Sequence, residues 1–365
     1  MLPLSGDFSQ LVNHVNSLLT LYDDSMSKED KLKIITSCYA LEIFLTEKEA
    51  GQLKNKELFD WMIRVGNILY DSLCYYNCYH FIKNKKTHEF LLQDAYSCLD
   101  ESFDKVCKLP TFSRLLKLPC EKDDSDISIL FQFFHDKAPE LEKIYKDVLA
   151  QHKLFRFPFF NDNLQFFEGV HYMDYWNQSS YVFLKPNFNQ LYQFTSLVHE
   201  LGHAYNSKKT YQNVPFYQQW RSCCGGLFSE VFSIYYEQMF LEYCASNAEN
   251  KDVALLNLIS YYDSYINFLD DTIRLSQVRD QAILYSVKDD YVEEEFLLND
   301  FTCSPIYGYG FLFANYLLEH PEEFPKFLKF EHKDFNYDTL VKNGFTKDNL
   351  TKSLVKRFEK NFDKY

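Results

Sequence analysis

The chain has 365 residues, of which 46% are hydrophobic and 18% aromatic, with 35 Phe and 28 Tyr against only 10 Gly and 10 Pro. That length and apolar fraction can supply a core without disulfide staples, and the scarcity of turn residues favours long helices over many short strands. A formal charge of -14 repels phosphate backbones and anionic lipid, which speaks against nucleic-acid and membrane-surface roles and leaves peptides or small molecules as partners.

The first residues, Met1 to Asp7, lack a basic stretch followed by an apolar one, and no later segment approaches the ~20 apolar residues that span a bilayer, so a soluble, cytoplasmic protein is expected. Phe8, Leu11, Val12, Val15, Leu18, Leu19 and Tyr22 recur at helical spacing and predict an amphipathic helix. Similar patterns over Lys31 to Thr46, Glu57 to Ile82, His88 to Lys108 and Ile127 to Leu154 predict a helical subdomain over residues 1–150. The ten cysteines lack the dense spacing of a secreted scaffold and read as reduced thiols. Cys74, Cys78 and His80 fall in a helical pattern rich in Leu and Tyr, where core packing explains them better than a metal cluster.

Residues 151–365 read as the second domain. Near Phe155 to Pro186 the helical period fades, and Tyr181-Val182-Phe183-Leu184 resembles a short strand closed by Lys185-Pro186. Asn187 or Asn189 can cap a helix running through Tyr205, and Gly225-Gly226 precede another from about Leu227 to Cys244. Val253 to Val292 predicts one or two long helices, Asn299 to Gly310 an irregular stretch, and the remainder further helices.

The chemistry lies on the two central helices. His199-Glu200-Leu201-Gly202-His203 places two imidazoles at i and i+4 on one helix face, about 5–6 Å apart at Cβ, where they can share a cation. Glu200 lies about 100° round the helix from His199, the place for a general base that does not itself coordinate. Two helix-surface histidines are the bland alternative, which the apolar neighbours Leu197, Val198 and Leu201 disfavour.

Catalytic zinc keeps three protein ligands and an open position. Glu230, 27 residues after His203 and among Phe228, Val231 and Phe232, is the candidate third ligand, because an unpaired carboxylate there would be costly. Glu237, two turns along the same face, either orients a histidine N–H or faces water. Cys223 and Cys224 lie nearby, where a turn role suits them better than ligation.

These residues resemble the thimet oligopeptidase and oligoendopeptidase F family of zinc metallopeptidases, most closely its oligoendopeptidase F branch. That pattern sets a short strand before Thr-Leu-x-His-Glu-Leu-Gly-His and a Glu-x-x-Ser-x-x-x-Glu helix. Tyr181 to Leu184, then Ser196 to His203 with Ser196 in the threonine place, and then Glu230, Ser233 and Glu237 look like it. Pro305-Ile306-Tyr307-Gly308-Tyr309 is similar to the family's tyrosine-rich substrate loop, and the tail from Asp338 to Phe362 to its closing helices.

The resemblance implies a mainly α, zincin-type helical fold with one small β-sheet near the active site. It also implies Zn2+ held by His199, His203 and Glu230, Glu200 as general base, Tyr307 or Tyr309 as oxyanion donor, and oligopeptide substrates. Two departures stand out. The family's loop histidine is replaced by Phe301, with His171 or His320 as possible substitutes in space, and the N-terminal half is short. Both keep two rivals in view: a catalytically impaired zinc- or peptide-binding member of the same scaffold, and a zinc hydrolase acting on another amide.

Overall fold

The computed structural model describes residues 2, 4, 6–115, 126–156, 168–185, 190–211, 214–223, 226–277, 291–330, 337–363 and 365. Within them the protein is mainly helical, with one small three-stranded sheet. The proposed cap at Asn187 or Asn189 and the residue Cys224 lie outside the described residues.

The chain forms two compact units, each built from two segments: residues 1–72 with 122–220, and residues 73–121 with 221–365. The first unit opens with α1 (Phe8–Leu21), α2 (Lys28–Glu42) and α3 (Glu47–Ala50). Asp7 caps α1 by accepting from the Ser9 backbone N–H at 2.8 Å, satisfying a donor that the first helical turn leaves unpaired. α4 (Lys56–Lys83) follows. Its side chains at Cys74, Cys78 and His80 lie outside the described residues.

The second unit then contributes α5 (Lys85–Cys107) and α6 (Pro110–Leu115) before the chain returns to the first with α7 (Ser128–Lys137) and α8 (Pro139–Ala150). The single helix expected from Ile127 to Leu154 is therefore two helices and a strand. Pro139 has no N–H to continue α7 and instead starts α8, where that missing donor would be unpaired in any case.

Strands β1 (Leu154–Arg156), β2 (Gly169–Asp174) and β3 (Ser179–Leu184) form the sheet in the order β1-β3-β2, with β1 parallel and β2 antiparallel to β3. The strand expected at Tyr181 to Leu184 is present and central. Those four residues are buried on both sides, which is why the run is continuously apolar rather than alternating. Tyr181 and Phe183 join the core with Leu11, Val15, Leu18, Ile34 and Phe44, as do Val170 and Tyr172 of β2. The opposite face packs on α8 and on α9 (Gln190–Tyr211). α10 (Phe216–Cys223) begins in this unit.

In the second unit, α11 (Val231–Asn247) is buried nearly all round, as its lack of an apolar stripe requires. It packs against α12 (Lys251–Gln277) and α13 (Tyr291–Glu319). The expected irregular stretch from Asn299 to Gly310 lies within α13. Pro305 and two glycines argue for a break there, but the adjoining run from Phe311 to Leu317 is deeply buried, and that burial outweighs local preference. α14 (Phe324–Phe330), α15 (Tyr337–Lys342) and α16 (Lys347–Phe362) complete the unit. Among the described residues no helix is long and apolar enough to cross a membrane.

The β2–β3 hairpin is held by a buried carboxylate. Asp174 accepts from Ser37 Oγ at 3.1 Å, Asn177 Nδ2 at 2.9 Å and the Trp176 and Asn177 backbone N–H groups, with His14 Nε2 at 2.9 Å. Burial alone would raise its pKa; hydrogen bonding and charge from His14 and bonds from Asn177 overcome this and hold it below the usual 3.8. A carboxyl whose folded pKa is depressed contributes stability that is complete above its unfolded value and lost as the pH falls through the folded one. Asp174→Asn should therefore cost roughly 2–4 kcal/mol at pH 7 and much less below about pH 3, measured by denaturant unfolding at each pH. An equal loss at both pH values would contradict the carboxylate's role.

Candidate metal centre

α9 carries the His-Glu-x-x-His segment in the middle of its 22 residues, where both ends of the helix are too distant to fray it. Leu197, Val198, Leu201 and Ala204 bury the helix and fix its rotation. His199 and His203 remain half-buried, with ring centroids 5.0 Å apart and ring planes at 75°. Glu200 turns inward and is 5% exposed, its carboxylate against Gly169 of β2.

Glu230 is the residue at the N-terminal cap of α11 and is 7% exposed. The helix had been expected to begin near Leu227; residues 227–230 instead form a turn, and Val231 is the first helical residue. Ser233 Oγ lies 2.9 Å from Glu230 Oε2 and 2.8 Å from its carbonyl oxygen. The single hydroxyl proton can serve either oxygen, and the residue lies at the positive end of the helix.

One ligand atom from each of His199, His203 and Glu230 lies within 4.8 Å of the others, so the three form a group that can hold a metal ion. Donors about 2.1 Å from a tetrahedral ion stand ~3.4 Å apart, so this spread closes with side-chain shifts of about an ångström. Two imidazoles and one carboxylate are the donor set of catalytic zinc sites, and three ligands leave the fourth position open. The donor chemistry fits the ion.

The sheet adds a residue whose placement the sequence left undecided. Gly169 and His171, two apart on β2, face α9, whereas Val170 and Tyr172 turn to the opposite core. The His171 ring lies nearly parallel to that of His203, with centroids 6.2 Å apart, and its Nε2 is 3.0 Å from Ser180 Oγ. Burial, reinforced by the neighbouring His203, holds the His171 imidazole well below its ordinary pKa, so it is neutral at pH 7. His320, the other substitute considered for a loop histidine, sits after α13 with Nδ1 3.6 Å from Glu322 and its ring against Tyr316. The side chains of Phe301 and Cys223 lie outside the described residues.

Glu237 accepts from the Tyr265 hydroxyl at 3.2 Å. Burial and the nearby Glu237 keep that phenol far above its usual pKa, so it remains a donor. The half-buried Tyr307 stacks on Phe268 at 4.9 Å and meets Tyr265 edge-on at 6.5 Å. Tyr309 is fully buried, with its hydroxyl 2.7 Å from His88 Nδ1. His88 Nε2 lies 2.9 Å from the Phe81 carbonyl, which can only accept; the Nε2–H therefore donates there, and Nδ1 accepts from Tyr309. Burial pushes His88 down to about 3, against the raising effect of that carbonyl.

His203→Ala should leave less than a tenth of the wild-type zinc per chain by elemental analysis after gel filtration, and Glu230→Ala should weaken zinc binding by about 10–1,000-fold. Stoichiometric zinc in either variant would break the ligand assignment. A second expectation concerns acid. A histidine whose folded pKa is depressed costs stability as the pH falls below its ordinary 6.5, because the unfolded chain takes up the proton first. His88 should thus contribute a loss of about 1.4 kcal/mol per pH unit between about pH 6 and 4, and His88→Phe should flatten that part of the unfolding profile. Comparison with protein-family models, curated proteins and solved structures finds no match, and the donor set with its surroundings carries the functional reading.

Proposed function

We propose that the protein is a zinc-dependent endopeptidase that hydrolyses oligopeptides, with a zincin-type fold like that of the thimet oligopeptidase and oligoendopeptidase F family. The observation that carries this is the meeting of His199, His203 and Glu230 within 4.8 Å, with the buried Glu200 one residue from the first ligand. A closed structural site has no use for that additional acid. The net charge of -14 fits peptides rather than nucleic acid, and the free thiols Cys38, Cys98, Cys107 and Cys244 fit a cytoplasmic location.

A ring nitrogen of His199, a ring nitrogen of His203 and a Glu230 carboxylate oxygen would hold the ion. When bound, zinc supplies Lewis acidity that polarises a carbonyl oxygen and makes water at the site more acidic. The Glu200 carboxylate takes a proton from the attacking water and passes it to the leaving amine nitrogen. Neutral His171 borders His203 without adding charge to the site.

Of the two tyrosines, Tyr307 is the better oxyanion donor. The Tyr309 proton is directed at His88, and its phenol is part of the packing of α13. β3 has β1 on one side and β2 on the other, so an extended substrate would add to the outer strand β2, whose second edge has no ladder partner among the described residues.

Glu200→Gln should retain stoichiometric zinc while kcat on a mixed peptide pool falls by about 10³-fold or more, because an amide cannot accept the proton. Tyr307→Phe should lower kcat by about 10–100-fold with KM little changed, and Tyr309→Phe should act mainly on stability. The pool should be cleaved internally, as read by fragment masses, and chelation should stop cleavage until zinc is restored. Wild-type protein that holds zinc yet leaves every peptide intact would instead identify a zinc- or peptide-binding protein.

A further inference from the structure

Each of the two buried carboxylates rests against a glycine. A methyl built on Gly169 of β2 would lie 2.8 Å from Glu200 Oε1, 2.9 Å from its Cγ and 3.1 Å from Leu184 Cδ2. One built on Gly310 of α13 would lie 2.6 Å from Ile234 Cδ1, 2.8 Å from Glu230 Cβ and 3.3 Å from the Glu230 carbonyl carbon. All six distances are below the roughly 3.5–4 Å at which carbon atoms rest. Neither glycine takes a positive φ, so close approach and not backbone conformation is what these positions demand. Both also run against local preference, since strands favour branched or aromatic residues and helix interiors favour alanine.

The two approaches differ in what would have to move. At Gly169 the neighbours are outer atoms of the Glu200 and Leu184 side chains, which can swing aside while the strands and α9 stay in place. At Gly310 they include Cβ and the backbone of Glu230, so a methyl there would push the start of α11 away from α13.

We propose that both glycines are positioning residues of the metal centre: Gly169 keeps open the slot in which the Glu200 carboxylate sits, and Gly310 sets where Glu230 is held. The role of Gly169 rests on the peptidase reading; that of Gly310 rests only on the donor set. The two therefore separate by readout. Gly169 governs turnover, and Gly310 governs affinity for zinc.

The test uses the full chain and zinc alone, with affinity measured by competition against a chromophoric chelator and turnover on the mixed peptide pool. Gly169→Ala should hold zinc within about threefold of wild type and leave KM unchanged, while kcat falls by about 10–100-fold. Its midpoint of thermal unfolding as apo-protein should drop, and the drop should shrink in the Glu200→Ala background, where the two closest atoms it strikes are gone and only Leu184 Cδ2 remains. Gly310→Ala should bind zinc about 10–100-fold more weakly and recover turnover at saturating zinc. If that variant does not fold, Gly310→Ala with Ile234→Ala removes the closest contact and leaves the methyl against Glu230, and the same loss of affinity is expected.

A Gly169→Ala kcat within twofold of wild type, or an unfolding shift that is the same with and without the Glu200 side chain, would overturn the role of Gly169. Zinc affinity within threefold of the parent in both Gly310 variants would overturn that of Gly310. Wild-type protein that binds zinc and cleaves nothing would remove the peptidase reading, and the Gly169 role with it. The Gly310 measurement would still stand on its own.

Discussion

Taking an ionised carboxylate out of water costs several kcal/mol unless a cation or directed donors replace the lost hydration. This protein does so at Glu200 and Glu230, which are 5% and 7% exposed. Ser233 Oγ lies 2.9 Å from Glu230 Oε2, and the positive end of α11 is beside the same carboxylate. His199, His203 and Glu230 each offer a ligand atom within 4.8 Å of the others, and a divalent ion shared among them would convert the burial of Glu230 from a cost into a binding site.

The scaffold around them is apolar and aromatic, which suits the need to hold charged groups at fixed positions. α9 is clamped by the sheet and α8 through Leu197, Val198 and Leu201, leaving the two histidines half-buried on the remaining side. α11 is gripped by Phe324, Phe327 and Phe313 through contacts with Phe228 and Phe232. Further along α11, Gln238 donates to Asn315 Oδ1 at 2.8 Å, and Glu242 accepts from Arg357 Nε at 2.8 Å and from Asn361 Nδ2 at 2.8 Å. Neutral aromatic rings thus pack on Phe228 and Phe232 either side of Glu230, and the polar groups farther along α11 are hydrogen-bonded.

Some of this was legible before any coordinates. The i, i+4 spacing of His199 and His203 needs only a helix, and a helix through that apolar segment was readable from its composition. The strand at Tyr181 to Leu184 was readable because branched and aromatic residues cluster there and Pro186 closes them. β1 is three residues long and merges with the helical pattern before it, and β2 mixes Gly, His and Asp with its apolar residues, so neither has a distinct signal. The turn-forming residues between Asn299 and Gly310 predict an irregular stretch when weighed locally, whereas the buried run after them decides for a helix. The resemblance of Pro305 to Tyr309 to a substrate loop puts Tyr307 and Tyr309 on an equal footing; only tertiary packing shows the Tyr309 proton directed at His88.

The division follows the range of the physics. Helical periodicity, the spacing of the two histidines and the excess of negative charge are properties of neighbouring residues and of composition, so the sequence by itself determined a mainly helical protein with a paired-imidazole segment. Whether Glu230, 27 residues further on, reaches those imidazoles depends on where α11 starts and what it packs against. That Gly169 and His171 lie beside Glu200 and His203 depends on strand register, and a slip of one residue would have turned Val170 and Tyr172 to α9 instead. Such contacts join residues far apart in the chain, and only the packed core selects among them.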